Sequence, residues 1–273
     1  MTLLCNAVLA PSLAAQGGSA LAILPGSARA AGLGGAGAAI VGDAGAIFAN
    51  PAALATIHRL ALEASYEAYP GGVSLSTGAV GLRVGRFDWG AGAAALGQSY
   101  TTADLLGVSS LVFRTGLVAV GSSLKYVRET VGGARTDAWA HDAGVAIAVF
   151  DLMAVGASVQ NLGGGARLPR RTRAGFTMNY VDPQGSYRLV TTVEGQWPSG
   201  GSAVPVVGVE IGAVASGLGL VGRMGYVGHS AATTASPFSV GGTAELGHFH
   251  LDYAYRADSA LGARHHMGLR WTP

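Results

Sequence analysis

From about residue 60 to the C-terminus the chain alternates apolar and polar residues in segments of about ten. In "HFHLDYAYRAD", Phe249, Leu251, Tyr253 and Tyr255 alternate with His250, Asp252, Ala254 and Arg256. In "RHHMGLRW", His265, Met267, Leu269 and Trp271 alternate with Arg264, His266, Gly268 and Arg270. Successive strand side chains point to opposite faces, so each set lines one face of a β-strand. "SYRLVTTVEGQW" repeats the pattern, with Arg188, Thr192, Glu194 and Gln196 on one face. The alternation predicts fourteen strands, near 60–68, 73–84, 87–97, 104–113, 117–129, 138–149, 152–161, 172–181, 186–197, 204–214, 218–228, 236–246, 248–256 and 263–271.

The connections sort by parity. After even-numbered strands they are tight ("GR", "RTG", "FD", "DPQG", "ASG" and a turn at Gly247), whereas after odd-numbered strands they are mostly longer ("GQSYTTA", "TVGGARTD", "LGGGARLPRR", "HSAATTAS" and "ADSALGA"). Short turns on one rim and long loops on the other are the habit of outer-membrane barrels, with the short turns in the periplasm. Both chain ends then belong to the periplasmic side.

Composition favours the same class. The 273 residues are 49% hydrophobic and only 12% charged, too few charges to cover a water-soluble surface of this size. Yet no apolar run is long enough for a membrane helix. Alternating lipid-facing and lumen-facing residues produce such a composition. We therefore expect an all-β protein, a 14-stranded antiparallel transmembrane β-barrel embedded in outer-membrane lipid. "HDAGVAIAVF" suggests a lumen lined by small residues, with Ala140, Asp142, Gly144, Ala146 and Ala148 on one face. Such a lining leaves room for a plug. Aromatics, at 7%, look sparse for two full interfacial girdles.

Three divisions follow: residues 1–20 as an export or signal segment, 21–58 as an N-terminal hatch inside the barrel, and 59–273 as the barrel. The opening "MTLLCNAVLAPSLAAQGGSA" has a short apolar core and small residues suited to cleavage, without a basic leader. With a single cysteine, Cys5, the chain forms no internal disulfide. A net charge of +2 without a basic stripe gives nucleic acid no footprint.

Several chemistries are weighed and set aside. Gly32, Gly34 and Gly37 spell G-x-G-x-x-G, but Pro25 and Gly26 break the strand a dinucleotide site needs ahead of it. No acid follows at ribose distance, so no nucleotide cofactor is expected. His248, His250 and Asp252 share a strand parity, with His266 opposite; a lumen-facing polar ladder accounts for them, and no metal site is assigned. No G-x-S-x-G occurs and His141 and Asp142 face opposite ways, so the protein reads as non-enzymatic. The lumen-facing polar set comprises Arg188, Glu194, His250, Asp252, Arg256, Arg264, His266 and Arg270. Arg167, Arg170 and Arg171, with Arg173, read as a basic patch on an outer loop.

The N-terminal stretch "ARAAGLGGAGAAIVGDAGAIFANPAALA" resembles the signature of the PorV/PorQ family, relatives of the FadL-type outer-membrane transporters. Arg29, Gly32, Gly34, Gly35, Asp43, Asn50 and Pro51 carry the match. "QNLGGGARLPRRTRAGF" and the closing "HHMGLRW" are similar to further family segments. The resemblance implies a hatch folded into the periplasmic end of the barrel. It also implies one of two functions. As a PorV-like protein the chain would partner secretion machinery or exported proteins of a type IX system; as a FadL-like protein it would pass a hydrophobic small molecule. Its modest length and short loops favour the first.

Overall fold

The computed structural model describes residues 19, 21, 26–97, 103–131, 133–149, 152–182, 185–228, 235–258 and 262–273. The export segment lies outside the described residues except for Ser19, as do most of the loops beginning near 98, 229 and 259.

Fourteen strands close into one antiparallel barrel: β1 (Leu60–Ala68), β2 (Ser74–Val84), β3 (Phe87–Gly97), β4 (Asp104–Thr115), β5 (Val118–Val131), β6 (Ala134–Val149), β7 (Met153–Leu162), β8 (Arg171–Asn179), β9 (Tyr187–Pro198), β10 (Val204–Ala215), β11 (Leu218–Val227), β12 (Phe238–Leu246), β13 (Phe249–Asp258) and β14 (Gly262–Trp271). Each strand pairs with its sequence neighbours. β1 and β14 seal the cylinder from Leu62↔Trp271 to Ala68↔His265. Closure leaves no sheet edge, so every spanning backbone group has a partner without water.

The alternation is inside out relative to a soluble protein. Along β1, Ala61, Glu63, Ser65 and Glu67 are buried while Leu62, Ala64 and Tyr66 are exposed. Leu111, Val120, Ile211, Leu220, Met224, Leu251 and Met267 continue this apolar exterior around the wall. Among the described residues no helix is long and apolar enough to cross a membrane. The strands, of nine residues or more, supply the length a tilted transmembrane strand needs.

Few as they are, the aromatics gather at both rims. Phe87, Phe113, Tyr180, Tyr187 and Phe249 are exposed at the short-turn end, with the Phe87 and Phe113 rings in tilted contact, centroids 5.3 Å apart. Tyr66, Trp139, Trp197, Tyr226 and Phe238 are exposed toward the other end, where Tyr126 packs on Trp139 at 4.8 Å. Two girdles thus exist despite the low aromatic share, because these rings fall at strand ends.

The short-turn rim has tight hairpins. At the β10–β11 turn Ser216 and Gly217 both have positive φ (53° and 82°), the pair a twisted two-residue hairpin demands. The β8–β9 connection is longer than the expected "DPQG", since β8 stops at Asn179 and β9 begins at Tyr187. On the opposite rim "TVGGARTD" is not a loop. β5 runs on for 14 residues to Val131 and β6 for 16 from Ala134, with Arg128 and Asp137 paired at 2.9 Å in solvent. Once strands leave the membrane both faces meet water, and alternation no longer distinguishes them from loop.

Candidate functional site

Residues 26–58 form short turns rather than long elements. A single α-helical turn, α1 (Ala28–Gly32), is capped by the Ser27 hydroxyl accepting from the Ala30 amide at 3.0 Å. Two 3₁₀ turns follow, Ala44–Phe48 and Pro51–Thr56. Pro51 opens the second turn, where its missing N–H costs nothing, and Asn50 caps it by accepting from the Ala52 amide at 3.0 Å. The Asn50 amide also donates to the Ala38 and Val145 carbonyls, tying the turn to its own segment and to β6.

This segment meets inward-facing residues of the wall on opposite sides. α1 packs against β11–β14, while Pro51–Thr56 packs against β3–β7. Glycines in the wall permit the approach. A Cβ at Gly156 would collide with the Ala38 carbonyl, and one at Gly144 with the Asn50 side chain.

Arg29 is the centre of an ion-pair cycle. It donates to Glu210 through Nε at 2.8 Å and Nη2 at 3.0 Å, and to Asp43 through Nη1 at 2.9 Å. Glu210 also accepts from Arg223 Nε at 2.6 Å. Arg223 reaches Asp252 at 3.1 Å, Asp252 accepts from Arg270 Nε at 2.5 Å, and Arg270 Nη1 returns to Asp43 at 2.6 Å. Three guanidiniums alternate with three carboxylates, joining the segment to β10, β11, β13 and β14. Arg188 of β9 adds a further contact to Glu210 at 2.7 Å. Burial alone would raise the Asp43 carboxyl, but Arg270 and Arg29 outweigh it and hold it down to about 2. Burial likewise opposes the Arg29 charge, and Asp43 and Glu210 overcome it, raising its pKa well above the ordinary value. Paired and hydrogen-bonded in this way, buried charges become tolerable.

A second anchor is Glu194, which accepts from the Gly37 and Ala38 amides at 2.7 Å each and from Arg173 at 3.2 Å. On the far wall Lys125 pairs with Asp142 at 2.7 Å beside Asn161, where the β6–β7 register shifts.

The residues singled out from sequence lie as follows. Arg29 and Asp43 belong to the cycle, with Arg188, Asp252 and Arg270; Glu194 holds the segment's backbone. Gly32 ends α1; Gly34 and Gly35 follow with positive φ (74° and 82°), in a turn preceded by that helix. His250 faces Glu245 at 3.4 Å, and His266 donates to or accepts from Ser65 at 2.8 Å. His248 precedes β13 and contacts the Thr272 carbonyl, away from Asp252. Among the described residues no group of three His, Cys, Asp or Glu is arranged for a metal ion.

The basic run is not one outer patch. Arg167 and Arg170 are exposed, but Arg171 begins β8 on the same parity as buried Arg173, and both turn inward. Pro169 makes the run look like loop, while the strand starts only two residues later. Glu210, Arg223 and Lys125 escaped sequence reading. Glu210 and Arg223 are the single charges of β10 and β11, and a lone charge at lumen parity in an apolar strand was the available signal.

Between the segment and the long-loop rim lies a cavity of about 220 Å³, with Ala31, Gly34 and Gly35 as its floor.

A closed antiparallel 14-strand barrel, greasy outside and polar inside, has the fold of the FadL-like outer-membrane barrels. Three solved structures are similar to it. The toluene transporter TbuX of Ralstonia pickettii matches with a TM-score of 0.63 and 13% identity, over 93% of this chain and 99% of that one. The monoaromatic hydrocarbon channel CymD matches at 0.65 and 11% identity, over 92% and 98%. A Pseudomonas aeruginosa FadL homologue matches at 0.57 and 12% identity, over 91% and 97%. Two of the three are named as a transporter or a channel. No family model and no curated protein matches the sequence.

Proposed function

We propose that the protein is a non-enzymatic, passive outer-membrane channel for a small molecule with an apolar body, and that residues 21–58 form a hatch across its lumen. The observation that carries this reading is the cavity between that segment and the long-loop rim, in a barrel whose fold is shared with TbuX and CymD. A ligand entering from the loops meets the cavity first and the hatch behind it. On this reading the short turns and both termini are periplasmic, since loop asymmetry in such barrels runs that way.

Binding at secretion machinery, the other role implied by the likeness to PorV and PorQ, draws no support from these neighbours. The test is uptake of radiolabelled toluene by a Gram-negative host without an equivalent channel. Uptake above the empty-vector level supports the proposal; uptake equal to it, with the barrel folded in the outer membrane, rejects it.

A further inference from the structure

The cavity is lined differently from a purely hydrocarbon site. Arg171, Arg173, Arg256 and Arg264 all border it, together with Glu67 and His266. Arg173 is committed to Glu194 at 3.2 Å, and Arg264 reaches Asp258 only at 3.5 Å. Arg256 donates through Nε to the Ser236 carbonyl at 2.7 Å and touches no carboxylate among the described residues. The Arg171 side chain makes neither hydrogen bond nor ion pair among the described residues, although it points inward from the first position of β8.

Buried there, Arg264 Nε has no hydrogen-bond partner among the described residues, while His266 Nδ1 and Glu67 Oε2 face each other at 3.5 Å. Glu67 and His266 are 4% and 2% exposed, so bulk water does not satisfy them. Buried polar groups are ordinarily hydrogen-bonded, so the unpartnered Arg264 Nε and the unpaired Arg171 side chain on one cavity mark the place of a ligand. Unpaired guanidiniums select that ligand's chemistry, because their planar forks match a carboxylate through two parallel N–H···O bonds. Volume narrows it further, since about 220 Å³ lies below the ~300–1,000 Å³ of drug-sized pockets.

We propose that this cavity is a binding site for a compact organic carboxylate, its anionic group held by Arg171 and Arg256 with Arg264 beside them, and its apolar body against Val204 and Val227. The site rests on the channel reading for its route of entry, and names the ligand class that route carries. It parts from the hydrocarbons named for TbuX and CymD.

Calorimetry on the detergent-purified full chain tests it, with benzoate as probe and toluene as its uncharged counterpart of equal ring size. Benzoate binds, and Arg171→Gln weakens it about tenfold, as loss of a charged hydrogen-bonding partner does; toluene binding changes less than twofold. Arg256→Gln repeats the effect, and circular dichroism with heat-modified gel mobility confirms that both variants are folded. Equal benzoate affinity in wild type and both folded variants overturns the proposal, as does toluene binding without benzoate binding. Uptake separates this from the channel reading. Toluene entering cells through a protein that does not bind benzoate defeats only the carboxylate site. Arginine-dependent benzoate binding by a protein that admits neither compound defeats only the channel.

Discussion

The two halves of the N-terminal segment are held in opposite ways. Residues 27–43 are fastened chiefly by charge, through Arg29 and Asp43 to Glu210, Arg223, Asp252 and Arg270 on the β10–β14 wall, with a small apolar cluster of Leu33, Ala36 and Ile40 on Val206 beside them. Residues 44–57 are fastened by packing: Ile47, Leu54 and Ile57 are fully buried with Leu75, Val108, Val112 and Val127 of β2, β4 and β5. The difference teaches how such a segment is both positioned and retained. Ion pairs are directional and fix register, but their net stabilisation is offset by desolvation. Apolar contact is non-directional and supplies the driving force.

Breaking the charged half gives the largest effect. Glu210→Gln strips the shared acid from Arg29, Arg188 and Arg223, and uncompensated buried charge costs about 3–5 kcal/mol. A lowered thermal midpoint and an ion conductance in planar bilayers that the wild type lacks are expected. Next comes the packed half. Leu54→Ala removes a fully buried side chain at about 2–4 kcal/mol, lowering the midpoint while leaving Arg29 in its cycle. Equal conductance in the two variants would erase the distinction between the halves.

Acid sharpens it. Asp43 has its folded pKa at about 2, below its ordinary 3.8. The stabilisation this reports is therefore fully present above pH 4 and is lost as pH falls toward 2. Conductance should stay at its neutral value down to about pH 4 and rise below it; Asp43→Asn should flatten that acid dependence. The smallest effect belongs to Asn50→Ala, which removes the cap together with the amide donor to the Ala38 and Val145 carbonyls, about 1–3 kcal/mol in all, and is read as a drop in the thermal midpoint.

How much of this was legible in the sequence follows from what alternation encodes. A strand with lipid on one face and lumen on the other writes its position plainly, and β1 and β3 begin and end where the pattern does. Beyond the membrane the contrast vanishes, which is why "TVGGARTD" reads as loop although β5 and β6 pass through it. Parity also places Asp252 and Arg270 on one side of the wall, yet no local pattern says that Arg270 meets Asp43, 227 residues away. Glu210 is hidden for a related reason. "VPVVGVEIGAVA" is apolar or small on both faces, and its one acid has no repeating neighbour to mark the face it uses. Arg171 was masked by the arginine and proline just before it and fell one residue short of the strand expected from 172, so its inward parity went unread.

Covalent trapping offers the most direct check that the segment stands against the inner wall. A Cβ at Gly32 would lie 3.7 Å from that of Ala254 on β13, within the separation a disulfide spans. With Cys5 replaced by serine, Gly32→Cys together with Ala254→Cys should oxidise in isolated outer membranes to near completion. Mass spectrometry would then recover the two peptides joined. If both thiols instead take up alkylating reagent freely and no linked peptide forms, the segment is not docked on β13.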